Sequence, residues 1–266
     1  MSTRYQKSGN YSKSKYEEFW KNGFIVLRNL MSHEHCDYSY FLAKSVANKD
    51  FAQIMHLHRE DFLIAQSSDR LDKIKSLPDK ISYIQNISNV ANHFDNYLKT
   101  PKIVDYLRWL YKSEMVGLLT NIFFKQPSSK YSKQAWLPHQ DNSYLDNDNG
   151  MYITVNVPFN YMSKKNGGLR LYPGSHNLGN LDFNNKISYR EKDGKPGNKI
   201  KQKLPMKPVQ LMLNKGDVLF MHGLCVHESS NNNSKDPRPL ISLGYIPYGE
   251  KFDPGFNSKR RITFLK

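Results

Sequence analysis

Residues 151–172 read MYITVNVPFNYMSKKNGGLRLY, and this stretch decides the fold class. Met151, Ile153, Val155 and Val157 alternate with Tyr152, Thr154 and Asn156. Successive side chains of a strand point to opposite faces, so this period of two marks a strand over Met151–Phe159. Asn166-Gly167-Gly168 then reads as a hairpin turn into a strand over Leu169–Tyr172. The same grammar extends outward. Glu114–Phe124 is strand-like, Asn214-Lys215-Gly216-Asp217 turns into Val218–His222, and Cys225–Ser229 and Leu240–Pro247 complete the set. The first half differs. Lys15–Asn22 reads as a short helix stopped by Gly23, and Phe24–Leu30 as a strand. Ser32 caps a helix running to about Lys49. Residues 50–112 read as mainly helical, with Thr100 as N-cap and Pro101 as first residue of KIVDYLRWLYK. Helices first and many short strands after predict a mainly β fold with flanking helices, a double-sheet jelly roll carrying its helical part (about 32–112) on one outer face. Residues 180–208 interrupt the strands with Asn, Gly and Lys and read as a long inserted loop, a candidate lid.

A chain of 266 residues with 13% aromatics can bury a proper core. Residues 1–14, polar and rich in Ser and Lys, read as a disordered basic tail, and 15–266 as a single domain. The two cysteines, Cys36 and Cys225, make no disulfide framework. No apolar run is long enough to span a bilayer, and the first fifteen residues lack the apolar core of a signal peptide, which points to a reducing cytoplasm. The formal charge is +15, and much of it is local: between Asn184 and Lys207 eight basic residues face Glu191 and Asp193, a net of +6. Such a loop either steers an anionic partner or is a solvated lysine-rich surface. It is rich in Lys rather than Arg and has little aromatic interleaving, which weakens a nucleic-acid reading.

The candidate chemistry lies in the second half. His139-Gln140-Asp141 stands in LPHQDNSYL, His227 in LFMHGLCVHES, and Arg238 eleven residues further on. Two histidines and a carboxylate form the facial triad of non-haem Fe(II) oxygenases, which leaves positions open for cosubstrate and O₂. The planar fork of Arg238 suits the far carboxylate of a dicarboxylate cosubstrate. The His-x-acid spacing alone decides nothing, since His35-Cys36-Asp37, His58-Arg59-Glu60 and His93-Phe94-Asp95 share it. His35 and His93 lie in helical stretches, where residues two apart diverge around the helix. His139 and Asp141 lie in a turn-rich segment between strands, where an extended backbone turns i and i+2 to one side.

Four segments in order, FWKNGFIVLRNLMS, PHQD, NGGLRLYPGSHNLG (Asn166–Gly179) and GDVLFMHGLCVHES (Gly216–Ser229), resemble the phytanoyl-CoA dioxygenase family of Fe(II)/2-oxoglutarate oxygenases over roughly residues 15–248. The resemblance implies a double-stranded β-helix with the metal between the sheets. It also implies an enzyme that decarboxylates 2-oxoglutarate to succinate and CO₂ while hydroxylating an unactivated C–H bond. Halogenases related to the family lack the carboxylate that Asp141 supplies, so halogenation is disfavoured. By resemblance Ser229 touches the cosubstrate carboxylate, Asn121 and Lys125 lie on a strand lining the cosubstrate pocket, and Trp136 packs on the cosubstrate. Asn156 departs from the family, which often has Trp there. It bonds cosubstrate or substrate, or is a satisfied core Asn. His222 reads as a structural or supporting histidine rather than a fourth ligand, His176 as a turn-stabilising residue, and Arg170 as either cavity-facing or exposed. The expected substrate is a small, polar or anionic metabolite. The alternatives are a nucleic-acid- or protein-modifying oxygenase docking through its basic tail and loop, and a non-enzymatic binding domain, against which the intact triad argues.

Overall fold

The computed structural model describes residues 10–47, 63–66, 81–127, 135–184, 199–254 and 259–266. The chain runs α1 (Lys13–Asn22), β1 (Phe24–Leu27), α2 (His33–Ala47), β2 (Leu63–Gln66), β3 (Ile81–Gln85), α3 (Asn92–Leu98) and α4 (Pro101–Tyr111). The strands β4 (Met115–Phe123), β5 (Trp136–His139), β6 (Ile153–Pro158), β7 (Leu169–Leu171), β8 (Phe183–Asn184) and β9 (Lys199–Ile200) follow. The chain closes with β10 (Val209–Gln210), β11 (Val218–His222), β12 (His227–Ser229), β13 (Leu240–Pro247) and β14 (Thr263–Phe264). No helix among the described residues is long and apolar enough to cross a membrane.

Local chemistry sets the helix ends. The Ser12 hydroxyl accepts from Lys15 N at 3.3 Å, so α1 begins two residues earlier than expected. Gly23 ends it at φ 80°, with its N–H on the Phe19 carbonyl at 2.7 Å. Ser32 caps α2 as expected, accepting from His35 N at 3.2 Å. Pro101 opens α4, but the Thr100 hydroxyl turns back to donate to the Tyr97 carbonyl at 2.7 Å instead of capping the helix ahead of it.

The strands form two facing antiparallel sheets. The larger runs β1-β11-β6-β13-β4-β3-β2, with β14 also on β4, and the smaller runs β10-β7-β12-β5. This is the expected double-stranded β-helix with flanking helices. Two differences change how it is built. The stretch expected as mainly helical holds β2 and β3, which extend the large sheet beyond β4 through pairs such as Gln85↔Asn121. Asn166-Gly167-Gly168 is not a hairpin either: β6 lies in the large sheet and β7 in the small one, so this turn carries the chain across the sandwich. The segment expected as a plain loop over 180–208 contains the short β8–β9 ribbon, with Phe183 opposite Ile200. Residues 185–198, most of the basic stretch, lie outside the described residues, as do residues 1–9.

Every residue of β6 is buried, on both faces. Ile153, Val155 and Val157 pack with Phe220, Ile241, Leu243 and Tyr245 against a helical layer that includes Phe19, Phe94, Tyr97, Ile103 and Leu107. The apolar face of the alternating stretch thus meets the helices. Its polar face, Thr154 and Asn156, turns toward the second sheet. Between the sheets a smaller cluster including Leu169, Leu171, Leu213, Leu219 and Met221 closes one end of the sandwich. Asp217 fixes the β1–β11 edge: its carboxylate accepts from Asn29 N at 3.0 Å, Asn214 N at 2.8 Å and Arg28 Nη1 at 2.6 Å. Gly216 beside it takes φ 84°, and a Cβ there would run into the Met31 carbonyl.

Candidate active site

The space left between the sheets is a cavity of about 230 Å³. Its walls come from residues two apart on successive strands: Tyr83 and Gln85, Leu119, Asn121 and Phe123, Thr154 and Asn156, Leu240 and Ser242, His227 and Ser229. The pleat therefore dictates most of the strand residues that face it, with Glu228, Asp141, Tyr144, Arg238 and Arg260 added from outside that alternation.

His139 ends β5 and His227 begins β12. They are direct cross-strand partners, with ring centroids 4.2 Å apart. Asp141 follows His139 at the start of a 3₁₀ turn, with Oδ1 at 3.7 Å from His139 Nε2 and 3.5 Å from His227 Nε2. One donor atom from each of the three lies within 4.8 Å of the others, the one such group found among the described residues. His139 Nδ1 lies 2.6 Å from the Leu137 carbonyl and His227 Nδ1 3.1 Å from the Cys225 carbonyl. A carbonyl can only accept, so each Nδ1 carries the proton and each Nε2 keeps its lone pair for a metal. Burial and the neighbouring His227 push the His139 pKa down to about 4, against the opposing pull of Asp141. His139 is then neutral, as a ligand must be. Thr154 donates to Asp141 Oδ2 at 3.1 Å and receives a 3.4 Å bond from Asn156 Nδ2, so the unused carboxylate oxygen is held in place.

The other matches to the triad spacing separate as expected. His35 lies in α2 and His93 in α3. Their rings sit 5.0 Å apart within the helical layer, and Ser39 Oγ is 2.8 Å from His93 Nε2. His58 lies outside the described residues.

Arg238 lines the same cavity and is buried, with Nε and Nη1 lacking any hydrogen-bond partner. Burial draws its pKa down to about 10. Lys125 is buried beside it and donates to Ser229 Oγ at 2.7 Å. Its pKa is held well below the usual lysine range by burial and then by Arg238. Among the described residues no carboxylate pairs with either cation. Two buried cations without a counter-ion are costly, and an incoming carboxylate would relieve both. The Asn121 side-chain amide oxygen, Oδ1, is also buried and unpartnered at this cavity. Trp136 stands with its ring 5.9 Å from that of His139 and 5.7 Å, edge-on, from Phe123. The residues present therefore fit an iron ion and a dicarboxylate, with two imidazoles and a carboxylate on one side and unsatisfied donors on the other.

Four residues singled out from the sequence are not part of the cavity wall: Lys125, which lies past the end of β4 rather than on the lining strand and reaches the site through Ser229, and His222, His176 and Arg170. His222 stacks on Tyr111 at 6.4 Å and accepts from Leu224 N at 3.2 Å. His176 Nε2 lies 2.9 Å from the Trp20 carbonyl. Arg170 is not in the wall, but it pairs at 3.1 Å with Glu228, which does line the cavity. Other residues at the site were not anticipated. Gln140, between two triad members, bonds the Gly179 and Leu224 carbonyls at 2.9 and 2.8 Å and accepts from Leu181 N at 2.9 Å. It thus ties the start of the inserted segment to the metal loop. Thr154 was readable in principle, being two residues before Asn156 on the same strand face. Tyr83, Gln85 and Arg260 come from β3 and the C-terminal segment, neither of which carries a motif.

The phytanoyl-CoA dioxygenase (PhyH) family model matches residues 19–240. Over 238 residues the chain is 26% identical to the peroxisomal phytanoyl-CoA dioxygenase of Rattus norvegicus, with 86% of this chain and 66% of that protein aligned. It thus spans just under two thirds of the length of that relative. It is 25% identical over 218 residues to a probable alpha-ketoglutarate-dependent hypophosphite dioxygenase of Stutzerimonas stutzeri, covering 78% of this chain and 72% of that one. Among solved structures, the epimerase SnoN in complex with Fe3+, alpha ketoglutarate and nogalamycin RO superposes with a TM-score of 0.67 at 16% identity, covering 90% of this chain and 84% of that chain. EctD from S. alaskensis with bound Fe gives 0.65 at 17% identity over 96% and 83%. These structures share the fold, the family model spans most of the sequence, and the triad stands where the two sheets face each other: the chain belongs to the phytanoyl-CoA dioxygenase (PhyH) family of Fe(II)- and 2-oxoglutarate-dependent oxygenases.

Proposed function

We propose that the protein is a 2-oxoglutarate-dependent dioxygenase that hydroxylates an unactivated C–H bond of a small, polar or anionic metabolite, releasing succinate and CO₂. The observation that carries this reading is one cavity holding a His139–Asp141–His227 triad and, on its other side, the unpartnered guanidinium of Arg238. Bound iron and 2-oxoglutarate supply the oxidising chemistry, so no side-chain acid or base is required.

The protein's own residues then have positioning tasks. His139, Asp141 and His227 hold the metal from one side and leave the cavity side open. Thr154 fixes the Asp141 carboxylate. Arg238 grips the far carboxylate of the cosubstrate through its fork, with Ser229 and Lys125 beside it, and Asn121 and Trp136 flank the bound molecule. Asn156 acts through Thr154 and faces the same space. The substrate is small and polar on two grounds, one for each property. The cavity is below the ~300–1,000 Å³ of sites that engulf drug-sized ligands, and its wall is mixed, with Tyr, Asn, Gln and Ser among the apolar residues. The Stutzerimonas relative is named for a small oxyanion substrate. A site recessed between sheets favours this reading over nucleic-acid or protein modification, although Lys201, Lys203 and Lys207 are exposed.

The test is succinate production in air. Protein supplied with Fe(II) and 2-oxoglutarate should turn over cosubstrate slowly without substrate, and His139→Ala should not. Succinate release that is independent of 2-oxoglutarate, or unchanged by chelation of the metal, contradicts the proposal.

A further inference from the structure

The cavity has a second cationic wall. Arg260 lines it, and its Nε is buried without a hydrogen-bond partner. No ion pair to its guanidinium forms among the described residues. Asp253 and Asp141 act on it through space, as do the Tyr152 and Tyr83 hydroxyls. Asp141 belongs to the triad, and its charge is committed once a metal is bound. Arg260 approaches from the Asp141 side, whereas Arg238 stands with Lys125 beside Ser229. The two arginines therefore serve different parts of one space, and a single dicarboxylate on Arg238 leaves Arg260 with Asp253 as its remaining acidic neighbour and no ion pair.

Arg260 is also held in place. Its own N–H donates to the Pro254 carbonyl at 2.7 Å. Asn86 Nδ2 donates to the neighbouring Lys259 carbonyl at 3.3 Å. Just beyond, β14 is laid on β4, with Thr263 opposite Gly117, and Arg108 Nη2 donates to the Leu265 carbonyl at 3.1 Å. The C-terminal segment is thus a strap pinned on both sides of Arg260. Ordering a long cationic side chain against a cavity costs conformational entropy and desolvation, which a bound anion offsets. The family match ends at residue 240, so this arginine comes from a part of the chain outside it.

We infer that Arg260 is the anchor of a second anion subsite, which binds an oxyanion group of the substrate (a carboxylate, phosphate or phosphonate) and thereby directs its C–H bond toward the triad. This deepens the proposed function and rests on it for the identity of the other ligands. A fork-shaped cation suits a planar or tetrahedral oxyanion through paired hydrogen bonds, and the Tyr83 and Gln85 side chains on β3 add polar wall nearby.

The experiment uses anaerobic protein loaded with Fe(II) and saturating 2-oxoglutarate, so that Arg238 is occupied. Methylphosphonate, acetate and uncharged acetamide are titrated by calorimetry. At least one anion should bind saturably with one site, and acetamide should not. Arg260→Gln should weaken that binding by about tenfold or more, and Arg260→Lys by less, because a point charge replaces only part of the fork. The affinity of Arg260→Gln for 2-oxoglutarate itself should stay within about twofold of the parent, since Arg238 holds the cosubstrate carboxylate. Thermal melts of both variants report folding, and the Lys variant keeps the inference open to refutation if the Gln variant does not fold. Failure of both anions to bind the loaded parent, or equal binding by Arg260→Gln, overturns it. If the parent binds neither iron nor 2-oxoglutarate, the proposed function fails separately. The same titration on metal-free protein then decides the subsite by the same criterion.

Discussion

His139 and His227 are cross-strand partners on β5 and β12, and their Nε2 atoms converge on Asp141 Oδ1 from 3.7 and 3.5 Å. Ladder register, not loop conformation, sets their spacing. Each ring is fixed by a backbone carbonyl two residues earlier on its own chain segment, Leu137 for one and Cys225 for the other. A site built on paired strands is pre-organised, so metal binding requires little rearrangement.

Arg238 is the cosubstrate anchor in this account. Arg238→Ala should raise the Kd for 2-oxoglutarate steeply, because breaking one side of a buried charged pair costs roughly 3–5 kcal/mol. Arg238→Lys should recover only part. Equilibrium titration of 2-oxoglutarate into Fe(II)-loaded protein reads both, and parent-like affinity in the Ala variant would remove Arg238 from this role.

Lys125 should show opposite effects on stability and binding. It is a buried cation beside another cation, so Lys125→Met should stabilise the ligand-free protein, because it removes the cost of burying an unpaired charge. The same variant should bind 2-oxoglutarate more weakly and show a smaller thermal shift on its addition. A lower melting temperature for ligand-free Lys125→Met would mean that its bond to Ser229 outweighs the cost of burying the charge.

Much of the site was legible because the chemistry falls on strands with clear alternation or beside turn residues. His139, Asp141, His227 and Arg238 all stand out this way, and β13 runs over Leu240–Pro247 as read. The misreadings share a physical origin. β3 is five residues long, ISYIQ, too short for periodicity to declare itself against the helix that follows. Asn166-Gly167-Gly168 carries a turn signal, but a turn does not say whether the next strand pairs with the last one or crosses to another sheet. That depends on β7 finding β10 and β12, both far away in sequence. Arg260 sits in SKRR, a basic segment with no motif to mark it, and the docking of β14 on β4 brings it to the cavity.

Thr154 is a positioning residue. Thr154→Val keeps the shape and removes the hydroxyl bonded to Asp141 Oδ2. Losing such a support of a metal ligand typically costs about 10–100-fold in metal affinity or activity. The Kd for Fe(II) should rise within that range while the melting temperature of the metal-free protein barely moves. An unchanged Kd would show that Asp141 needs no such support.

His222 gives the fold an acid limit. Burial, and secondarily His176, lower its pKa from 6.5 to about 3. The unfolded chain therefore binds a proton between those values that the folded chain resists. Stability from this group is fully present above 6.5 and declines as pH falls toward 3, by roughly 1.4 kcal/mol per unit. His222→Asn retains an acceptor for the Leu224 N–H and cannot titrate. Its urea-unfolding free energy should fall less steeply between pH 6.5 and 4 than that of the parent, and identical slopes would exclude His222 as a contributor.

The central claim is that His139, Asp141 and His227 hold the iron while Arg238 holds 2-oxoglutarate in the same cavity. Anaerobic titration followed by visible absorption tests it most directly. Parent protein should take up one Fe(II) and, on adding 2-oxoglutarate, develop the weak charge-transfer band of a chelated cosubstrate. His227→Ala should show no band, and Arg238→Ala should show it only at much higher 2-oxoglutarate. A band of parental strength and concentration dependence in either variant, or none in the parent, would contradict the account.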